Sequence, residues 1–140
     1  MPLVKVEKLI KMNGDFLFDS NIVIDIFRNR QSTIELVKDI DNISIPAIVL
    51  GELYYGANKS NQTAKRTLQI EQLEKTVNII EVTAITARFY GEIKDKLRII
   101  GKPIPENDIW IAAIAKENNL TLITKDKHFN YVDGVQIKMI

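Results

Sequence analysis

From Phe16 onward, short runs of branched and aromatic residues alternate with longer stretches of helical spacing, and this alternation constrains the fold more than any single residue does. Strand candidates are Phe16 to Asp19, Ile43 to Ile45, Val77 to Val82, Leu120 to Thr124 and Val135 to Met139. Residues 21–29, 31–40, 47–58, 62–75, 83–100 and 107–118 carry apolar spacing that suits helices. Such alternation builds βαβ units, so the expected class is α/β, with a mainly parallel five-stranded sheet covered by helices on both faces. At 140 residues one core suffices, and no internal repeat or linker interrupts the pattern.

Two helices are especially legible. Thr83 is an N-cap candidate followed by Ile85, Phe89, Ile93, Leu97 and Ile100 along one face, with Gly101 and Pro103 as the stop. The stretch Ile109 to Ala115 is apolar all round, which predicts a helix enclosed by neighbours on most sides. What starts that helix is held firmly in place.

Composition narrows the function classes. Hydrophobic residues make up 46% of the chain and charged ones 26%, the balance of a folded protein. Nineteen basic side chains against 18 acidic ones leave +1, so there is no broad basic field of the kind a DNA-coating protein carries. The absence of cysteine excludes disulfides, thiolate zinc sites and cysteine nucleophiles. No apolar run reaches the roughly 18 to 20 residues that span a bilayer, and lysines 5, 8 and 11 are scattered in a way that makes a poor signal peptide. A cytoplasmic protein without membrane contact is expected. Residues 1–14 are read as an N-terminal extension to a domain over 15–140, with Met12 as an alternative start ahead of the turn-forming Asn13-Gly14.

Four acids stand where buried elements end or begin: Asp19 in FLFDSN, Glu52 in VLGELYYGA, Asp108 in ENDIWIAA and Asp126 in TLITKDKHF. Each has an ordinary reading. Asp19 caps a helix or, failing that, Ser20 and Asn21 do; Glu52 rides the wet side of a helix; Asp108 complements a helix dipole; Asp126 pairs with Lys125 or Lys127. Together they point elsewhere, because a parallel sheet gathers strand ends and helix starts along one edge. Carboxylates crowded beside an apolar core lose hydration and repel one another, and a divalent cation relieves both costs. Mg²⁺ or Mn²⁺ prefers such oxygen ligands and acts on phosphate esters, so the set predicts a metal-dependent nuclease in which all four acids bind metal and serve catalysis. Gly51 and Gly56 beside Glu52 are read as marks of close backbone approach.

The strings LFDSNIVID, GELYYGA, KPIPENDIWIAAIAKENNLTLITKDKHF and VDGVQ resemble a PIN-domain ribonuclease of the VapC toxin type. The most specific piece is ENDIWIAAIA followed, 18 positions after Asp108, by Asp126. The likeness covers nearly everything after Met12. It implies a three-layer α/β/α sandwich, RNA cleavage with Mg²⁺ or Mn²⁺, a small cognate VapB-like antitoxin and a homodimer. Asp19, Glu52, Asp108 and Asp126 match the family's four metal-binding acids. Ser20 or Asn21 matches its small polar position beside the first acid, and Thr124 its hydroxyl residue before the fourth. Those three are expected to orient carboxylates or water, or else to serve as caps and strand-end hydrogen-bond partners. His128 falls on a position associated with structure, with Phe129 docking it against the core. Arg98, Lys102, Lys125 and Lys127 are candidates for phosphate contacts or simply a solvated face.

Two other classes compete with this reading. An aspartyl phosphotransfer domain with Asp19 as acceptor is disfavoured, because Asn21 stands where a phosphatase would need a second Asp and no Asp follows Val77 to Val82. A non-catalytic PIN-like module that binds RNA or a peptide is the remaining alternative.

Overall fold

Phe16, Leu17 and Phe18 are buried on both faces of their strand, which suits only the middle of a parallel sheet. A computed structural model describes residues 15–140 of the chain. β1 (Phe16–Phe18) lies at the centre of a sheet ordered β3-β2-β1-β4-β5, formed with β2 (Ile43–Pro46), β3 (Asn78–Ile80), β4 (Thr121–Thr124) and β5 (Gln136–Met139). Every pairing is parallel; Phe16 faces Ile43 on one side and Thr121 on the other. The proposed extension over residues 1–14, and with it a start at Met12, lies outside the described residues.

Among the described residues six helices connect the strands. α1 (Ser20–Phe27) and α2 (Gln31–Val37) join β1 to β2, and α3 (Ala47–Lys59) and α4 (Thr63–Glu74) join β2 to β3. α5 (Ala84–Ile99) and α6 (Glu106–Glu117) then carry the chain back across the sheet to β4, and a short 3₁₀ turn (Lys127–Tyr131) leads to β5. Right-handed crossovers that run toward opposite edges leave their helices on opposite faces, giving the expected α/β/α layering. The strand order reverses between β1 and β4, the point where α/β sheets open a crevice at their carboxyl ends. Asp19 and Asp126 follow those two strands.

The α5–α6 hairpin sets the entry to this edge. Thr83 caps α5 in a reciprocal box with Thr86, and both hydroxyls also donate to Glu117 at the far end of α6. At the other end Gly101 (φ 69°) donates to the Arg98 carbonyl and Lys102 to that of Leu97, the paired bonds of a Schellman stop. Tyr90 stacks on Trp110 with ring centroids 4.0 Å apart. The buried face of α5 differs from the expected one: Thr86, Ile93 and Leu97 are inside, whereas Ile85 and Ile100 are more than half exposed. The hairpin partner covers a stripe rotated from the row of isoleucines. By contrast α6 is enclosed as expected, with Ile109 and Ile111 through Ala115 all buried.

Candidate metal centre

Asp19 is 4% exposed, and its carboxylate is the most fully partnered of the four. Oδ1 accepts the Ser20 N–H at 2.8 Å, so Asp19 itself caps α1 and the suggested caps Ser20 and Asn21 are its donors instead. Oδ2 accepts the Asn21 amide at 3.1 Å and the Thr124 hydroxyl at 2.7 Å. The strand beneath is stitched to β4 by the Asp19 N–H on the Ile123 carbonyl. Burial pushes the Asp19 carboxyl above its ordinary value, Asp126 adds to that, and the three donors hold it back.

Asp108 is placed by the first turn of α6, whose following residues are locked in the core. Its Oδ2 is buried without a hydrogen-bond partner. Loss of hydration, followed by the charges of Asp126, Asp19 and Glu52, drives its pKa to about 7, with His128 opposing. Glu52 projects from α3, and its Oε1 is also buried and unpartnered. Burial and then Asp19 raise its pKa, while the nearby Asn107 side chain draws it partly back. Gly51 and Gly56 do not mark close packing here, since a Cβ on either would meet nothing within 4 Å.

Asp126 caps the 3₁₀ turn by accepting the His128 N–H at 2.9 Å, and its own N–H donates to Thr124 Oγ1 at 3.0 Å. The four predicted acids are thus brought to one edge, where Asp19, Glu52 and Asp108 each feel the charge of at least one of the others. Asp108, Asp126 and His128 form the tightest group, with one ligand atom from each mutually within 4.8 Å. His128 therefore differs from the sequence expectation. Phe129 is wholly buried, but the imidazole is half exposed, with Nδ1 2.9 Å from Asp126 and 3.8 Å from Asp108. The signal for it was spacing: two residues after Asp126, a tight turn returns the side chain beside its cap.

A fifth acid is not legible in the sequence. Asp25, 7% exposed within the apolar NIVIDIF run, accepts the Thr33 hydroxyl at 2.6 Å and pairs with Lys125 and, at 3.4 Å, with Arg30. Lys125 is thereby turned away from its neighbour Asp126. Arg98 is held by Asp95 and Lys102 lies over the Tyr131 ring, so three of the four suggested phosphate contacts have other partners.

The residues suit a divalent cation on their own chemistry. Two desolvated carboxylate oxygens lack any donor, and the surrounding acids carry charge that the apolar floor cannot solvate. Hard oxygen ligands of this kind are what divalent cations take.

Comparison with known proteins agrees. The PIN domain family model matches residues 16–135. Ribonuclease VapC2 of Haemophilus influenzae is 33% identical over 113 residues, covering 79% of this chain and 86% of its own. The tRNA(fMet)-specific endonuclease VapC of Shigella flexneri is 27% identical over 124 residues, covering 86% and 94%. Among solved structures, VapBC2 from Rickettsia felis bound to promoter DNA superposes with a TM-score of 0.82 at 27% identity, over 91% of this chain and 99% of that one. With the parallel sheet, the reversal point and the acidic edge already in place, the chain belongs to the PIN-domain family and, within it, to the VapC ribonucleases.

Proposed function

We propose that this protein is the toxin of a toxin–antitoxin pair, a metal-dependent endoribonuclease that hydrolyses RNA phosphodiester bonds at Asp19, Glu52, Asp108 and Asp126. The observation that carries this reading is the pair of buried, unpartnered oxygens, Asp108 Oδ2 and Glu52 Oε1, in carboxyls whose pKa burial and then neighbouring acids raise. The four carboxylates would hold Mg²⁺, with Mn²⁺ as a substitute. A cation bound there supplies charge neutralisation for the phosphodiester and acidifies the attacking water. The chain's own contribution is positioning. The Thr124 hydroxyl, the Asn21 amide and the Ser20 N–H fix the Asp19 carboxylate, and the packed start of α6 fixes Asp108.

The test is cleavage of total cellular RNA with and without Mg²⁺. Asp19→Asn and Asp108→Asn should each abolish product, and activity intact in either variant refutes the ligand assignment. Binding without cleavage in saturating Mg²⁺ and Mn²⁺ would turn the reading toward a non-catalytic module.

By likeness to the VapBC complex, we pair the chain with a small VapB-like antitoxin that blocks the acidic edge. Among the described residues no helix is long and apolar enough to cross a membrane, and an RNA substrate supports a cytoplasmic place. Ile99, Ile100 and Tyr131, all exposed, supply an apolar patch for a homodimer. A monomeric mass at micromolar concentration would remove the dimer.

A further inference from the structure

A cleft of about 810 Å³ opens beside the acids between α1, α3 and α4, with Ser20, Glu52 and Asn107 at the end nearest the metal centre. Glu52 is its sole acidic lining residue, whereas Arg28, Lys59 and Arg66 all border it. Among the described residues none of these three cations forms an ion pair, unlike Arg30, Lys94, Arg98 and Lys125 elsewhere. Tyr55, 68% exposed, projects into the same space with the Lys59 ammonium 5.0 Å from its ring.

One face of α3 organises this. Glu52, Tyr55, Gly56 and Lys59 fall at i, i+3, i+4 and i+7, a single stripe about 10 Å long that runs from the acid to the cation. Gly56 leaves the wall of the cleft low, since a Cβ there points into open space.

We propose that this cleft is the track for the single-stranded RNA beside the scissile phosphate. Arg28, Lys59 and Arg66 would contact backbone phosphates, and Tyr55 would stack on a base. Unpaired cations with an exposed aromatic are the combination that holds single strands without reading sequence. The charge favours RNA over an acid-poor protein segment. The inference rests on the ribonuclease reading, but its test is binding and not cleavage.

Affinity for a fluorescein-labelled, mixed-sequence single-stranded RNA dodecamer is measured by anisotropy in EDTA over a salt series. For a single strand the log–log salt slope falls by about 0.7 per phosphate contact removed, so Arg28→Ala, Lys59→Ala and Arg66→Ala together should flatten it by about 2. Tyr55→Ala should weaken binding roughly tenfold and Tyr55→Phe should restore it. Gly56→Leu should raise the melting temperature, as a better helix former, while weakening RNA binding. Arg88→Ala on α5, outside the cleft, should change neither affinity nor slope. An unchanged slope in the triple variant, or full affinity in Gly56→Leu, overturns the proposal and leaves the cleft to a protein segment. Loss of cleavage with RNA binding unaffected bears on the metal centre alone.

Discussion

The Thr124 hydroxyl donates to Asp19 Oδ2 at 2.7 Å and accepts the Asp126 N–H at 3.0 Å, so one side chain ties together the acids that follow β1 and β4. The strand order reverses between these two strands, and the hydroxyl joins the residues that follow their carboxyl ends. Thr124 is itself fully buried, with its neighbours packed around it.

Replacing Thr124 with Val keeps the shape and removes the hydroxyl. Asp19 then loses a donor in a buried setting, and a cost of about 1–3 kcal/mol in stability is expected. Loss of an outer partner of this kind typically weakens metal binding about 10–100-fold. Calorimetric titration with Mn²⁺ checks it, and Thr124→Ser should recover most of the affinity. Wild-type affinity in Thr124→Val would show that the hydroxyl only closes the strand.

Asp108 makes the metal-free protein sensitive to pH. Its folded pKa, about 7, lies above the ordinary 3.8, so the native state holds a proton that the unfolded state has released. Stability from this group is fully present below about pH 4 and is lost as pH rises toward 7. Asp108→Asn should remove that decline, which thermal melts in EDTA across this range would reveal. A slope unchanged in the variant would place the effect on another group.

Metal binding should release protons by the same logic. At pH 6 Asp108 is largely protonated in the metal-free state, and a bound cation requires it ionised. Calorimetry in two buffers of different ionisation enthalpy should report release approaching one proton per site, falling away above pH 8. No buffer dependence at pH 6 would mean that Asp108 is already ionised there or is not a ligand.

Asp25 acts with the opposite sign. Burial alone would raise its pKa, but Lys125, Thr33 and Arg30 bring it below the ordinary value. Its contribution is present above about pH 4 and is lost as pH falls through the lowered folded value. Asp25→Asn should cost about 1–3 kcal/mol near neutrality, measured by urea denaturation, and the difference should shrink in acid. Equal stability of the two proteins at pH 7 would show that the Lys125 pair is idle.

Much of this was readable from residue order. The five strands and six helices follow from apolar period, and the stop at Gly101 follows from the one residue type that takes φ 69° there without strain. Asp19, Glu52, Asp108 and Asp126 were legible because acids that interrupt apolar runs at element ends must have a reason to be there. Other features were not. Ile85 and Ile100 fit a helical stripe as well as Thr86 does, and only the Glu117 carboxylate at the end of α6 makes burial of Thr86 favourable. Lys125 stands next to Asp126 in the chain, yet it pairs with Asp25, which is 100 positions away.

Residue order alone determined which segments are strand or helix and which acids interrupt them, because period and element ends are local properties of the chain. The tertiary structure decided which groups meet: His128 beside Asp126 and Asp108, Thr124 against Asp19, and, along one cleft, three cations without an ion pair among the described residues. The contact of Thr124 with Asp19 depends on the direction of side chains across the reversal point between β1 and β4. There desolvation and mutual charge act over a few ångströms between residues about a hundred positions apart.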